Sequence, residues 1–142
     1  MASFAVKSID HVVITVKSIQ ATVDFYTNRL GMKHEVFSSK GVDRHALTFG
    51  NQKLNLHLSG KEFEPKAGSV QPGSEDLCFI TDHPIDEVLK SWQSAGVEVL
   101  EGGNVVERTG AVSKLRSVYC RDPDQNLIEY VVHVGGRVVM YS

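Results

Sequence analysis

Cysteine, long apolar runs and an excess of either charge are all scarce here, and each scarcity removes a class of protein. The chain has 2 cysteines, Cys78 and Cys120, too few for the disulfide framework of a small secreted domain. Both lie in apolar, strand-like runs, so buried free thiols in a reducing compartment are expected over an inter-strand disulfide. No apolar run approaches the roughly 18 residues of a membrane-spanning helix. The opening MASFAVKSID lacks the apolar core and cleavage site of a secretory signal, and a cytoplasmic location is expected. With 15 basic and 17 acidic residues, net charge -2 and pI near 6.3, there is no electrostatic reason to expect nucleic acid or an anionic membrane as partner. No GxSxG turn, phosphate loop or zinc-finger cysteine pair occurs. What remains, at 142 residues with 42% apolar and 23% charged content, is a soluble domain with a real core.

The chain is written twice. IDHVVITVKSI, from Ile9 to Ile19, returns as EDLCFITDHPI, from Glu75 to Ile85, and each copy continues into a helical pattern closed by glycine, Gly31 and Gly96. His11 and Asp76 then stand at equivalent places. Near the end of each copy a second polar residue interrupts an apolar strand, His57 in LNLHL and Glu129 in LIEYV, and the repeat matches these two with each other. The repeat divides a single domain, 1–142, into modules over 9–58 and 75–132, joined by a Gly- and Pro-rich linker over 59–74.

Periodicity gives each module the same order of elements. Residues 9–16 alternate as a strand. Ser18 is placed to cap a helix carrying Ile19, Val23, Tyr26 and Leu30 on its buried side, with Gly31 as its C-terminal residue. Strands are expected near 32–37, 43–49 and 52–58, the last two joined by a Gly50-Asn51 turn. The second copy predicts a strand over 75–81, then a helix with Pro84 in its first position and a stripe of Ile85, Val88, Leu89 and Trp92. Strands follow near 97–100, 114–120 and 126–132, the last pair separated by the turn RDPDQN. The ending VVMYS is read as a further edge strand. Each half is thus βαβββ, an α+β class, and two such halves are expected to form a half-open barrel around a cleft.

Four polar residues interrupt the apolar strands: His11, His57, Asp76 and Glu129. Alternation puts His57 on the face opposite Leu54, Leu56 and Leu58, with Asn55 beside it. Asp76 shares a face with Cys78 and Ile80, and Glu129 with Leu127 and Val131. If the helices cover the larger apolar sets, all four point the other way. Two imidazoles and two carboxylates form an N2O2 set that suits Zn, Ni, Co, Mn or Fe(II). Taken singly each has a plainer reading: a hydrogen-bonded strand histidine, a turn-capping Asp76, or a Glu129 paired with Arg116 or Arg44. Arg44, Arg108 and Arg116 are candidates for binding an anionic substrate, although scattered basic residues usually serve solubility. Because Arg44 and His45 are neighbours, only one of them faces the cleft. RTGA at 108–111 is a candidate binding loop or a plain hairpin tip.

These residues resemble a known family. DHVVITVKSIQATVDFYTNRLGM, FGNQKLNLHL and YCRDPDQNLIEYV are similar to the vicinal-oxygen-chelate superfamily, which includes glyoxalase I, bleomycin-resistance proteins and extradiol dioxygenases. The resemblance implies paired βαβββ modules and a divalent metal held by His11, His57, Asp76 and Glu129. It also implies a homodimer as the common assembly. Glyoxalase I has Glu or Gln where His57 stands, and His or Glu where Asp76 stands; extradiol dioxygenases have His at the Asp76 position. The turn has Gln125 where the family often has Gly. The activity implied is that of a metal-dependent isomerase or lyase on a small vicinal-oxygen substrate, a hemithioacetal or enediolate, with glutathione as cosubstrate and Glu129 as the catalytic base. A non-catalytic small-molecule binding protein and an Fe(II) dioxygenase are the alternatives.

Overall fold

The computed structural model describes residues 1–135; the expected edge strand at VVMYS lies outside them. The chain falls into two compact units, Met1–Pro72 and Gly73–Ser142, each built on the predicted βαβββ plan.

The first unit contains β1 (His11–Val16), α1 (Ile19–Leu30), β2 (Lys33–Ser39), β3 (Val42–Phe49) and β4 (Gln52–Leu58), in sheet order β1-β4-β3-β2. Ser18 caps α1 through its hydroxyl, which accepts the Ala21 N–H at 3.1 Å. Gly31 closes the helix in the left-handed region, at φ 76°, where a side chain would cost about 1 kcal/mol. β1 and β4 run parallel and pair His11 with Lys53, Val13 with Asn55 and Thr15 with His57. One face of this sheet collects Ile14, Val16, Leu47, Leu54 and Leu56, all nearly or fully buried, under Val23, Tyr26 and Leu30 of α1. The other face carries His11, Asn55, His57 and Arg44.

The second unit contains β5 (Asp76–Ile80), α2 (Ile85–Ser94), β6 (Val106–Thr109), β7 (Lys114–Arg121) and β8 (Leu127–His133), in the matching order β5-β8-β7-β6. Trp92 of α2 is fully buried and meets Tyr130 edge-on at 5.8 Å between ring centroids. Pro84 is the residue before the helix, at ψ 124°, rather than its first helical position. Its fixed φ still directs the chain into the helix. The expected strand at 97–100 is not formed. Leu100 makes a single ladder-like bond to the Tyr119 carbonyl at 2.9 Å, and then Glu101, Gly102 and Gly103 all take positive φ. This turn lifts the chain away from the sheet, so antiparallel pairing with β7 begins only at Val106. No helix among the described residues is long and apolar enough to cross a membrane.

The turn between β7 and β8 holds the sheet's two central strands in place. The Asp122 carboxylate accepts the backbone N–H groups of Asp124 and Asn126, both at 2.9 Å, and the Asn126 side-chain amide at 2.8 Å. Asn126 in turn accepts the Glu75 N–H at 2.8 Å, and Leu127 donates to the Glu75 carbonyl. The chain reaches this point through Gly73, where a β-carbon would stand 2.5 Å from the Asp124 carbonyl oxygen.

Two consequences are open to measurement. Asp122→Ala strands two buried backbone donors and is expected to lower unfolding free energy by about 3 kcal/mol, read by urea denaturation. Gln125 sits at φ 72°, so Gln125→Gly is expected to raise stability by about 1 kcal/mol in the same assay.

Candidate functional site

Strand pairing decides which predicted residues share a face and a level. In the second unit Cys78 stands opposite Glu129, and Glu129 opposite Tyr119 on its other side. Asp76 lies one pleat before Cys78 on the same face, exposed to solvent. In the first unit the residue at the corresponding level is Asn55, opposite Val13 and one pleat beyond His11. His57 stands a further pleat along, at the level that Val131 holds in the second unit. The repeat therefore matches Glu129 with Asn55, and the equivalence drawn from the sequence between Glu129 and His57 is corrected by one pleat. Asn55 was visible on that face by alternation, but nothing local distinguished its level from that of His57.

The first unit's face is polar but half-covered. His11 is exposed and bonded to Asp10 at 2.8 Å. His57 is 9% exposed, and its ring meets Phe63 edge-on at 5.5 Å. Burial first, and the Arg44 charge second, push its pKa below the ordinary value, against a smaller opposing effect of Glu62. The imidazole is therefore neutral at pH 7. Arg44, not His45, shares this face; His45 points the other way and stacks on His34.

The second unit's face carries a richer network. Ser117 donates to Glu129 at 2.7 Å. Cys78 and Tyr119 flank the same carboxylate on the two neighbouring strands; burial first, and the carboxylate beside them, push the pKa of both groups up. Arg108 donates through Nε to the Tyr119 oxygen at 3.2 Å and pairs with Glu101 at 3.6 Å. Desolvation, followed by the negative charges of Glu129 and Asp76, pushes the Cys78 thiol up to about 12. A cavity of about 510 Å³ opens against this network, lined by Cys78, Ile80, Leu115, Tyr119, Glu129 and His133 and by the 108–112 tip that includes RTGA. Gly110 lets the tip lie on Leu115, since a β-carbon there would come within 2.8 Å of its side chain. Arg116 is not part of this site. It alternates to the helix side and reaches Asp86 of α2 at 3.3 Å. The partner of Glu129 is thus Ser117 rather than Arg116 or Arg44. Ser117, Tyr119, Cys78 and His133 were not singled out from the sequence as site residues. The parity of 115, 117 and 119 places them on the Glu129 face once the pairing of β7 with β8 is known.

His11 and His57 lie on neighbouring strands of the first unit, four residues out of step, roughly 13 Å along the strand direction. Among the described residues no group of three or more His, Cys, Asp or Glu side chains is placed to hold a metal. Asp76 and Glu129 do share a face, one pleat apart.

The duplicated βαβββ topology with a polar face opposite each helix is that of one superfamily. The chain matches the Glyoxalase/Bleomycin resistance protein/Dioxygenase superfamily over residues 8–130 and belongs to it. It is 54% identical to the glyoxalase domain-containing protein RDO1 of Mycosarcoma maydis over 125 residues, covering 88% of this chain and 68% of that protein. It is 49% identical to virulence protein STM3117 of Salmonella typhimurium, covering 89% and 84%. The crystal structure of STM3117 superposes with a TM-score of 0.86 over 92% of this chain and 100% of that one, at 47% identity. A lactoylglutathione lyase from Agrobacterium tumefaciens shares the fold, with a TM-score of 0.65 at 20% identity over 88% of this chain and 92% of that one.

The thiol environment yields a direct test. Cys78 and Cys120 are both pushed up to about 12 from 9.0, which lowers the thiolate fraction roughly a thousandfold between neutral pH and pH 9. Iodoacetamide is expected to leave both unmodified in the folded protein at pH 8 and to label both in urea, as counted by mass spectrometry. Folding holds these protons more tightly than the unfolded chain does. The stability they contribute is therefore complete below pH 9 and lost as pH climbs from 9 towards 12.

Proposed function

We propose that the chain is a glyoxalase-type isomerase that works on a small hemithioacetal- or enediolate-type substrate in the cavity of the second unit. The observation that carries this reading is the Glu129 carboxylate in the wall of that cavity, fixed by Ser117 at 2.7 Å. The runs NLHLSGKEFEPKA and PGSEDLCFIT, which resemble glyoxalase domain-containing protein 5, support the same class.

In this reading the substrate's apolar part lies against Ile80, Val112 and Leu115, and its reacting carbons lie beside Glu129. The carboxylate takes the proton from the carbon that bears the hydroxyl. The electron pair forms an enediolate, and the proton returns to the neighbouring carbon. Arg108, held by its bond to the Tyr119 oxygen at 3.2 Å, supplies positive charge where the enediolate oxygen develops. The protonated Cys78 thiol takes no nucleophilic part and orients the carboxylate. A second reading, a binding protein without chemistry, draws on the same cavity: most of its lining is apolar, and Ser117 already holds Glu129.

The two readings separate in one experiment. Methylglyoxal and glutathione are incubated with the protein in D2O, and deuterium at the carbon centres of the product is measured by mass spectrometry; binding of S-lactoylglutathione is followed by calorimetry. Wild type is expected to exchange and turn over, and Glu129→Gln to lose exchange by about 10²–10⁴-fold while binding within a few-fold of wild type. Binding without exchange in the wild type selects the binding protein. Undiminished exchange in Glu129→Gln removes that residue as the base.

A further inference from the structure

We infer that the first unit holds an oxyanion site of its own, in which Arg44 and Asn55 grip a small carboxylate or phosphate that also bears a hydroxyl, under the ring of Phe63. The site is independent of Glu129 and of the isomerase reading.

Its basis is a pair of complementary unmet atoms. Among the described residues, the buried side-chain nitrogen and oxygen atoms without a hydrogen-bond partner are Arg44 Nε, a donor, and Asn55 Oδ1, an acceptor. Each such orphan costs about 1–3 kcal/mol, and in a native structure each calls for an explanation. These two lie together. Ala46 of β3 pairs with Asn55 of β4, so Arg44, two residues from Ala46, is the diagonal neighbour of Asn55 on the same face, roughly 7–8 Å away. They do not bond to each other. One group that accepts from Nε–H and donates to Oδ1 satisfies both.

Charge selects an anion for that group. Arg44 is half-buried, and no ion pair to it is found among the described residues. Glu35, on the next strand of the same face, does not reach it, and Glu62 accepts the Gly60 N–H at 3.1 Å. The guanidinium instead lies on the ring of Phe63, 3.8 Å from its centroid. The same ring covers His57, so one aromatic side chain from the inter-module segment roofs both. A flat cation with an unmet Nε–H matches an oxyanion, which accepts from guanidinium donors. The neighbouring carbonyl of Asn55 rejects a bare anion and accepts a hydroxyl. Monohydrogen phosphate and a 2-hydroxycarboxylate such as lactate both present that combination; acetate does not.

The test uses the full chain and reads thermal unfolding, since a ligand bound only to the folded state raises Tm in a saturable way. Phosphate, L-lactate and acetate are titrated at ionic strength matched with sodium chloride. Phosphate, lactate or both are expected to raise Tm with saturation, and which of them does so identifies the phosphoryl or the carboxylate source; acetate is expected to bind at least tenfold more weakly. Arg44→Gln and Asn55→Asp are each expected to weaken the effective ligand tenfold or more, and Glu129→Gln to leave it unchanged. If Arg44→Gln does not fold, Arg44→Lys keeps the charge, removes Nε, and is expected to show the same loss. The inference is overturned if neither phosphate nor lactate exceeds the chloride control, or if the Arg44 and Asn55 variants bind as wild type does.

Discussion

The Asp122 carboxylate is the point on which the second unit depends. It gathers two backbone N–H groups and the Asn126 amide in a turn whose Asp122, Asp124 and Asn126 are buried. Asn126 then grips the start of β5 at Glu75. A parallel strand pair has no hairpin to set its register, so this clamp does what a tight turn does elsewhere. Once Glu75 is held, Asp76 falls beside Leu127 and Cys78 beside Glu129. A slip of one residue would turn Glu129 into the helix-side core and bring Ile128 to the cavity. The chemistry proposed for the cavity thus rests on a turn whose residues are not among those lining it.

Both units use their two sheet faces in the same way. The helix side is filled by branched aliphatic and aromatic residues, with Ile14, Leu47, Leu54, Val118 and Ile128 at or near zero exposure. The opposite side tolerates polar groups, and these bond among themselves. In the second unit a carboxylate, a phenol, a hydroxyl and a thiol form one network edged by Arg108. In the first unit the network is incomplete, with a cation and an amide oxygen left unmet. A set of donors and acceptors that closes within the protein resists desolvation. One that does not close carries the desolvation cost of its unmet atoms.

Much of this organisation is legible in the chain. Helix caps at Ser18 and Gly31, the β4 span, and the alternation of Leu54, Leu56 and Leu58 against Asn55 and His57 all follow from local chemistry. So does the duplication. The placement of β6 was missed, because Val97 to Leu100 is as apolar as a strand and the glycines after it read as a loop. Arg116 was taken for a cleft residue for the same kind of reason: basic character is visible in a sequence, but the face it occupies follows from the parity of β7. The matching of His57 with Glu129 failed by a single pleat.

Period and composition are properties of neighbouring residues, so they settled the class of fold, the elements other than β6 and the alternation within each strand. The level of one strand against another is a hydrogen-bonding choice between segments about 40 to 50 residues apart, made by the Asp122 turn and by the β1–β4 ladder. That choice separated His11 from His57, set Cys78 against Glu129, and put Asn55 where the repeat requires a polar residue. Folding of the inter-module segment decided the rest, carrying Phe63 over Arg44 and His57. No periodicity in EFEPKA announces that contact, because a single aromatic in a solvated linker shows its partner only when the chain has closed.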